Sequence, residues 1–291
     1  MKVFVTGATG FTGSRVVPVL LQGGHQVRCL YRPTSDRSFL LRDQPEIEWV
    51  PGDLSDIQAL TASMQGTDAL VNIASLGFGH AESIISAAKK AGIQRAVFIS
   101  TTAIFTQLNA NSRKVRVDAE LAIEASGLRY TILRPTMIYG SSRDRNMWRL
   151  IRFMRYSPII PVFGNGNSLQ QPVYVGDVAQ AVVHSLLRDE TIFKSYTIAG
   201  KHPLTYNEVI DTIARQIKKR IGKIHIPLRL VVRLLRLFEQ MRIPFPLKAE
   251  QVLRLNEDKA FSYAAAERDF GYDPLSFEDG IKLEIKQLWD H

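Results

Sequence analysis

The chain has 291 residues, 45% of them apolar, with 37 lysines and arginines against 28 acids and a formal net charge of +9. That apolar share excludes general disorder, and the length suits one large α/β domain or a larger domain with a smaller partner. The single cysteine, Cys29, excludes an internal disulfide and a thiolate zinc site, and points to a reducing, cytoplasmic setting. Within its apolar run Cys29 reads as a small buried side chain.

Residues 1–6 read as a strand from the start, so no signal peptide is expected, and no apolar run reaches the roughly 18 residues of a transmembrane span. Runs rich in Val, Ile and Leu at 3–6, 26–31, 47–51, 69–73, 96–100 and 130–133 read as strands buried on both faces. Helical patterns near 13–23, 55–64, 80–91 and 113–126 fall between them. That alternation predicts right-handed crossovers and an α/β fold built on a doubly wound parallel sheet. After Pro135 the pattern changes. Residues 143–155 read as a basic helix, 157–172 as a long loop, 176–187 as a helix, 195–199 as a returning strand and 205–220 as a helix. Residues 226–242 form a basic amphipathic stretch with Pro227 at its start and Pro244 beyond its end.

The first strand runs into Thr6-Gly7-Ala8-Thr9-Gly10-Phe11-Thr12-Gly13. Gly7 permits a tight turn, Gly10 lets backbone approach a pyrophosphate, and Gly13 lets the next helix pack closely on the sheet. The helix opening near Phe11 points free N–H groups at the phosphates. A strand before the turn, a helix after it and a βαβ frame around it together identify a dinucleotide site. Where an NAD site usually carries an acid, at the end of the second strand, this chain has Tyr31-Arg32-Pro33. Arg32 can fork onto a 2′-phosphate, so NADP is expected over NAD; the alternative leaves Arg32 at the surface with Asp36 on the ribose. Asp53 either accepts from the adenine amine or caps the following helix, a role open equally to Asp56.

These segments resemble the short-chain dehydrogenase/reductase superfamily, in its extended and atypical branches. Gly52-Asp53-Leu54 and Val71-Asn72-Ile73-Ala74 resemble that family's third- and fourth-strand ends, and Phe98-Ile99-Ser100-Thr101-Thr102 its fifth. Arg134-Pro135-Thr136-Met137-Ile138-Tyr139-Gly140 resembles its sixth-strand motif, and residues 171–179 and 270–280 its later segments. The resemblance implies a Rossmann core with a smaller C-terminal substrate lobe. The dinucleotide-binding domain would span 1–140, and 141–291 would be mainly lobe, with 170–199 returning to the core. It places Gly7, Thr9, Gly10, Phe11, Thr12, Gly13, Arg32, Asp53, Leu54, Ile73, Ala74, Arg116 and Pro135 beside the cofactor.

The family's chemistry uses a Tyr and a Lys four residues apart on the helix after strand five. Here Ser112 and Arg116 occupy those positions. A serine hydroxyl is a far poorer acid than a phenol, and an arginine stays charged and relays no proton. Arg116 can still hold cofactor ribose, and Thr101 falls where the family carries its helper hydroxyl. Tyr139 is either a structural residue or a replacement acid. The resemblance therefore implies an atypical NADP(H)-binding oxidoreductase or epimerase-like protein acting on a carbonyl, quinone or nucleotide sugar, or else a non-catalytic sensor or accessory subunit.

The basic excess is uneven. Arg143, Arg145, Arg149, Arg152 and Arg155 form one cluster, and a second runs from Arg215 to Arg242. Such surfaces favour an anionic substrate, an anionic membrane or a protein partner; no helix-turn-helix, zinc-finger or RNA-binding signature accompanies them, so nucleic acid is not expected. Residues 226–242 suit a lobe helix with arginines facing solvent, or a helix lying on anionic lipid. The six histidines are scattered without ligand spacing, so no metal is expected.

Overall fold

The computed structural model describes residues 1–41, 46–108, 111–144, 146–245 and 247–289, and only the backbone of residues 39, 41, 111 and 112. In chain order the first half comprises β1 (Lys2–Thr6), α1 (Gly13–Gln22), β2 (Gln26–Tyr31), α2 (Ser38–Leu41), β3 (Glu48–Pro51), α3 (Ile57–Met64), β4 (Ala69–Asn72), α4 (Ala81–Lys90), β5 (Arg95–Ile99), α5 (Asn111–Glu124) and β6 (Arg129–Pro135). The second half comprises β7 (Ile138–Tyr139), α6 (Met147–Tyr156), β8 (Ile159–Phe163), β9 (Leu169–Gln170), β10 (Val173–Tyr174), α7 (Val175–Leu187), β11 (Lys194–Ile198), β12 (Leu204–Thr205) and α8 (Tyr206–Gln216). It ends with β13 (Gly222–Ile226), α9 (Leu228–Gln240), α10 (Ala249–Leu255), α11 (Ala264–Phe270) and α12 (Phe277–Trp289).

Seven strands form one parallel sheet in the order β11-β6-β5-β4-β1-β2-β3. The fold is the expected doubly wound Rossmann arrangement. Strand alternation sends Val3 and Val5 to one face and Phe4 to the other, and all three are fully buried. The first face packs on Val16, Val17 and Leu20 of α1 and on Val178, Ala181 and Val182 of α7. The second packs on Leu60 of α3, Ile84 of α4 and Ile123 of α5. Cys29 is buried in the first cluster, where desolvation pushes its thiol pKa up and leaves it inert.

The lobe has its own core, with Met147, Ile151 and Met154 of α6 against Val209, Ile210 and Ile213 of α8 and Ile281 of α12. Two of the departures from the sequence reading have a clear physical cause. The basic helix starts at Met147 rather than 143, because Asp144 Oδ1 accepts from the N–H groups of Asn146 (2.9 Å) and Trp148 (3.0 Å) and so closes a turn before the helix. The loop expected over 157–172 contains β8, which pairs in parallel with β13 some sixty residues on, Ile160 against Lys223 and Val162 against His225. Pro161 is tolerated because this is a two-stranded ribbon with open edges. Neither strand has a partner nearby in sequence, so local pattern alone did not reveal them.

Candidate functional site

The parallel order brings the loops that follow β1, β2, β3 and β4 to one end of the sheet. There they enclose a cavity of about 480 Å³. Ten of the thirteen expected cofactor residues line it: Gly7, Thr9, Gly10, Phe11 and Thr12 from the turn, Arg32 after β2, Asp53 and Leu54 after β3, and Ile73 and Ala74 after β4. The turn closes through a 3.0 Å bond from the Gly10 N–H to the Gly7 carbonyl. Gly7 has φ +70°, and a Cβ there would stand 2.7 Å from the Ala74 nitrogen. Gly13 lies behind the cavity wall, where a Cβ would meet the Gly7 carbonyl at 2.2 Å; its role is close packing of α1 on the turn. This cradle of bare backbone at the start of α1 fits a pyrophosphate.

Three charged side chains lie around the loop after β2, where the sequence reading expects the adenosine end of a dinucleotide. Arg32 is exposed and lines the cavity. Asp36 instead accepts from the Ser38 N–H at 2.9 Å, an Asx turn at the start of α2, and this bonding holds its pKa down. Arg143 donates to the Thr9 carbonyl at 2.6 Å and lies close enough to Asp36 to lower that pKa further. The sequence placed Arg143 in a basic cluster but not at this turn, because the contact spans more than a hundred residues. Asp56 caps α3 by accepting from the Ala59 N–H at 3.0 Å. Asp53 lines the cavity with its carboxylate bonded to the Ser55 N–H (2.9 Å) and hydroxyl (2.6 Å). Hydrogen bonds to Ser55 depress its pKa, and His80 and Arg32 add a smaller electrostatic contribution.

A second cavity, about 550 Å³, opens where β5 and β6 end. Thr101, Phe105 and Met137 line it from the sheet side, and Arg254, Lys259 and Phe261 from the lobe. Glu257 ties the two walls together, accepting from Thr106 Oγ1 (2.7 Å) and the Gln107 N–H (3.0 Å). Phe105 and Phe261 add an aromatic contact with centroids 5.8 Å apart. Lys259 Nζ donates to the carbonyls of Arg254 and Glu257 and to Gln170 Oε1, and burial lowers its pKa. Sequence reasoning missed the lobe wall entirely; a short charged run at 254–259 carries no local sign that it faces the strand ends.

The expected catalytic residues separate. Thr101 lines the second cavity, its Oγ1 accepting from the Ala103 N–H at 3.2 Å. The Arg116 guanidinium rests against the backbone of Gly77, 3.0 Å from where a Cβ would stand, in the turn following β4. Burial lowers its pKa, and Arg254 lowers it further. Ser112 lies in the first turn of α5, and its side chain falls outside the described residues, as does Arg145. Tyr139 is 1% exposed in the lobe core, lines neither cavity and packs its hydroxyl on Gly280. Burial, followed by the Asp177 charge, raises its pKa well above the ordinary phenol value. Pro135 ends β6 and offers its carbonyl to Thr102 Oγ1 at 3.3 Å. Beneath the second cavity, Glu120 accepts from Arg134 at 2.6 and 3.0 Å and from the Ser100 hydroxyl. Among the described residues no three His, Cys, Asp or Glu side chains converge as a metal site.

A family profile described as NAD(P)H-binding matches residues 7–189. The chain is 28% identical, over 99% of its length and 74% of the relative's, to NADH dehydrogenase [ubiquinone] 1 alpha subcomplex subunit 9, mitochondrial, of Arabidopsis thaliana. It is 25% identical, over 94% of its length and 86% of the relative's, to a 3 beta-hydroxysteroid dehydrogenase/Delta 5-->4-isomerase of Mycobacterium tuberculosis. In fold it is similar to the NAD complex of dTDP-glucose 4,6-dehydratase from Bacillus anthracis, with TM-score 0.80 and 17% identity over 100% of this chain and 97% of that one. It is equally similar in fold to UDP-glucose 4-epimerase of Thermotoga maritima, with TM-score 0.79 and 17% identity over 100% and 99%. The glycine cradle, the strand order and the profile match converge: this chain belongs to the NAD(P)H-binding family of Rossmann proteins, and it shares its fold with enzymes of epimerase and dehydratase type.

Proposed function

We propose that the chain is an NADP(H)-dependent oxidoreductase acting on a small carbonyl or quinone in the cavity between sheet and lobe. The observation that carries this reading is the place of Arg116. Its guanidinium rests on the Gly77 turn, whose flanking residues Ser75 and Phe78 line the cofactor cavity, and it senses the charge of Arg254, which lines the second. A group bound along the first cavity would thus reach the second beside a fixed cation. When bound, the cofactor's nicotinamide would be the hydride donor or acceptor at that point. Arg116 holds its ribose, and Thr101 orients the substrate oxygen. With Tyr139 sealed in the lobe core, water or the substrate itself supplies the proton. In this reading residues 1–140 bind cofactor and the lobe from 141 onward closes over the substrate.

Arg32 at the cavity wall, with Asp36 held in its turn and Arg143 nearby, supports NADP over NAD. A nucleotide-sugar substrate gains less support, since two of the three α6 arginines are engaged elsewhere: Arg152 stacks at 5.2 Å from the Trp148 ring centre and Arg155 at 4.9 Å from that of Trp289. Calorimetry with NADPH and NADH tests the cofactor. NADPH should bind at least about tenfold tighter, and Arg32→Glu should reverse the order, since a forked guanidinium–phosphate pair supplies more than about 1.4 kcal/mol. Tighter binding of NADH would overturn it.

A non-catalytic cofactor-binding subunit is the second reading, favoured by Arg116 in the lysine position and by the burial of Tyr139. The Arabidopsis relative, named as a subunit of a larger complex, supports it too. NADPH absorbance across a carbonyl and quinone panel separates the two. Turnover that falls in Thr101→Val upholds the enzyme, and tight NADPH binding with no turnover upholds the subunit.

A further inference from the structure

We propose that α9 and the segment after it dock on an anionic phospholipid surface. No helix among the described residues is long and apolar enough to cross a membrane, so the contact would be interfacial. Leu230, Leu234, Leu237 and Met241 recur at steps of four, three and four, which makes a single row along one side of the helix. They are 60%, 50%, 47% and 61% exposed. The apolar exposure continues through Ile243, Phe245 and Leu247. Scattered exposed apolar residues are ordinary, but seven within eighteen residues, four of them in one helical row, mark an interaction surface.

A second row runs beside the first. Arg229, Arg233 and Arg236 each precede a row leucine by one residue, about 100° round the helix. The remaining side is already covered: Leu235 is buried, with Leu228, Val231 and Val232 packed against Ala249 and Val252 of α10. Satisfying the lobe core therefore leaves both the leucine row and the arginine row facing outward. The three arginines line a groove of about 640 Å³ with Val232, Leu237 and Leu253. Among the described residues, no ion pair or hydrogen bond engages their guanidinium groups. Glu239, the acid of this helix, is occupied in accepting from the Ala249 N–H at 2.9 Å and does not neutralise the row.

Charge selects the occupant. A second copy seated on this face across a two-fold axis would bring another arginine row against the first. A purely apolar partner would desolvate the guanidinium groups without compensation. A phospholipid face offers phosphates to the arginines and the acyl boundary to the leucines at the same depth. The groove then holds a headgroup phosphate, and Met241, Ile243 and Phe245 reach the acyl boundary.

The test is co-sedimentation of the full chain with vesicles of phosphatidylglycerol in phosphatidylcholine, against vesicles of phosphatidylcholine alone, at low and high salt. Binding should require the anionic lipid and weaken with salt. Replacing Arg229, Arg233 and Arg236 together by Gln should cost about a hundredfold in affinity, the equivalent of roughly 1 kcal/mol per cation. Replacing Leu230, Leu234 and Met241 together by Ser should return the protein to the supernatant. All six side chains are exposed, so unchanged thermal midpoints should confirm intact folding. Failure to bind anionic vesicles, equal binding to both vesicle types, or indifference to either triple variant would overturn the proposal. So would a dimer on a sizing column that Leu234→Asp dissolves, since that would identify a second copy as the occupant.

Discussion

Glu284 on α12 is fully buried, and neither carboxyl oxygen meets a donor among the described residues. The facing acid, Asp144, is 5% exposed; its Oδ1 closes the turn before α6, and its Oδ2 is equally without a donor. Two carboxylates cannot both stay charged in such a place, and the more deeply buried Glu284 is the one that keeps a proton. Burial first, and Asp144 second, push its pKa up to about 10. Between the ordinary value of 4.5 and that limit the native chain keeps a proton that the unfolded chain has released, so stability must fall as pH rises through this window. At about 1.4 kcal/mol per pH unit, the loss reaches roughly 3 kcal/mol near neutrality. Glu284→Gln keeps the shape, supplies a permanent N–H donor to Asp144 and removes the titration. The variant should melt about 5 °C higher at neutral pH, taking a melting entropy of about 2.1 cal/mol/K per residue. Its melting temperature should also depend less on pH between 5 and 9. Scanning calorimetry of both proteins at stepped pH reads this directly. A variant destabilised equally at pH 5 and pH 8 would refute the buried proton on Glu284.

Gly7→Ala forces a side chain into a φ of +70° with its Cβ 2.7 Å from backbone, so NADPH affinity should fall at least about tenfold in calorimetry while circular dichroism stays native. Glu120→Ala strips Arg134 of a bidentate partner in a partly buried site and should cost about 3 kcal/mol in denaturant unfolding. Glu120→Gln, whose single amide oxygen still accepts from Arg134 while its NH2 donates to the Ser100 hydroxyl, should recover part of that loss.

The sheet was legible because its strands are covered on both faces, so runs such as 3–5 and 69–71 are apolar at every position and stand out from the flanking helices. The phosphate turn was legible because its constraints are local: Gly7, Gly10 and Gly13 answer to atoms within the loop or to the adjoining strand end. Arg32 lay at a position that strand order alone brings to the adenosine end. What escaped was held together across long stretches of chain. Arg143 reaches Thr9, Glu257 reaches Thr106, and β8 waits for β13, and nothing near those residues encodes the partner. Tyr139 was ambiguous for a related reason: a buried tyrosine and a catalytic one differ in what faces the hydroxyl, here Gly280 from the far end of the chain.

The two cavities draw on different stretches of the gene. Every residue lining the first falls between 7 and 80, whereas the second borrows a wall from 254–261. Substitutions in that late wall can reshape the second cavity without touching the lining of the first. Descendants of such a chain can therefore change the shape and charge of one cavity while the other keeps its lining.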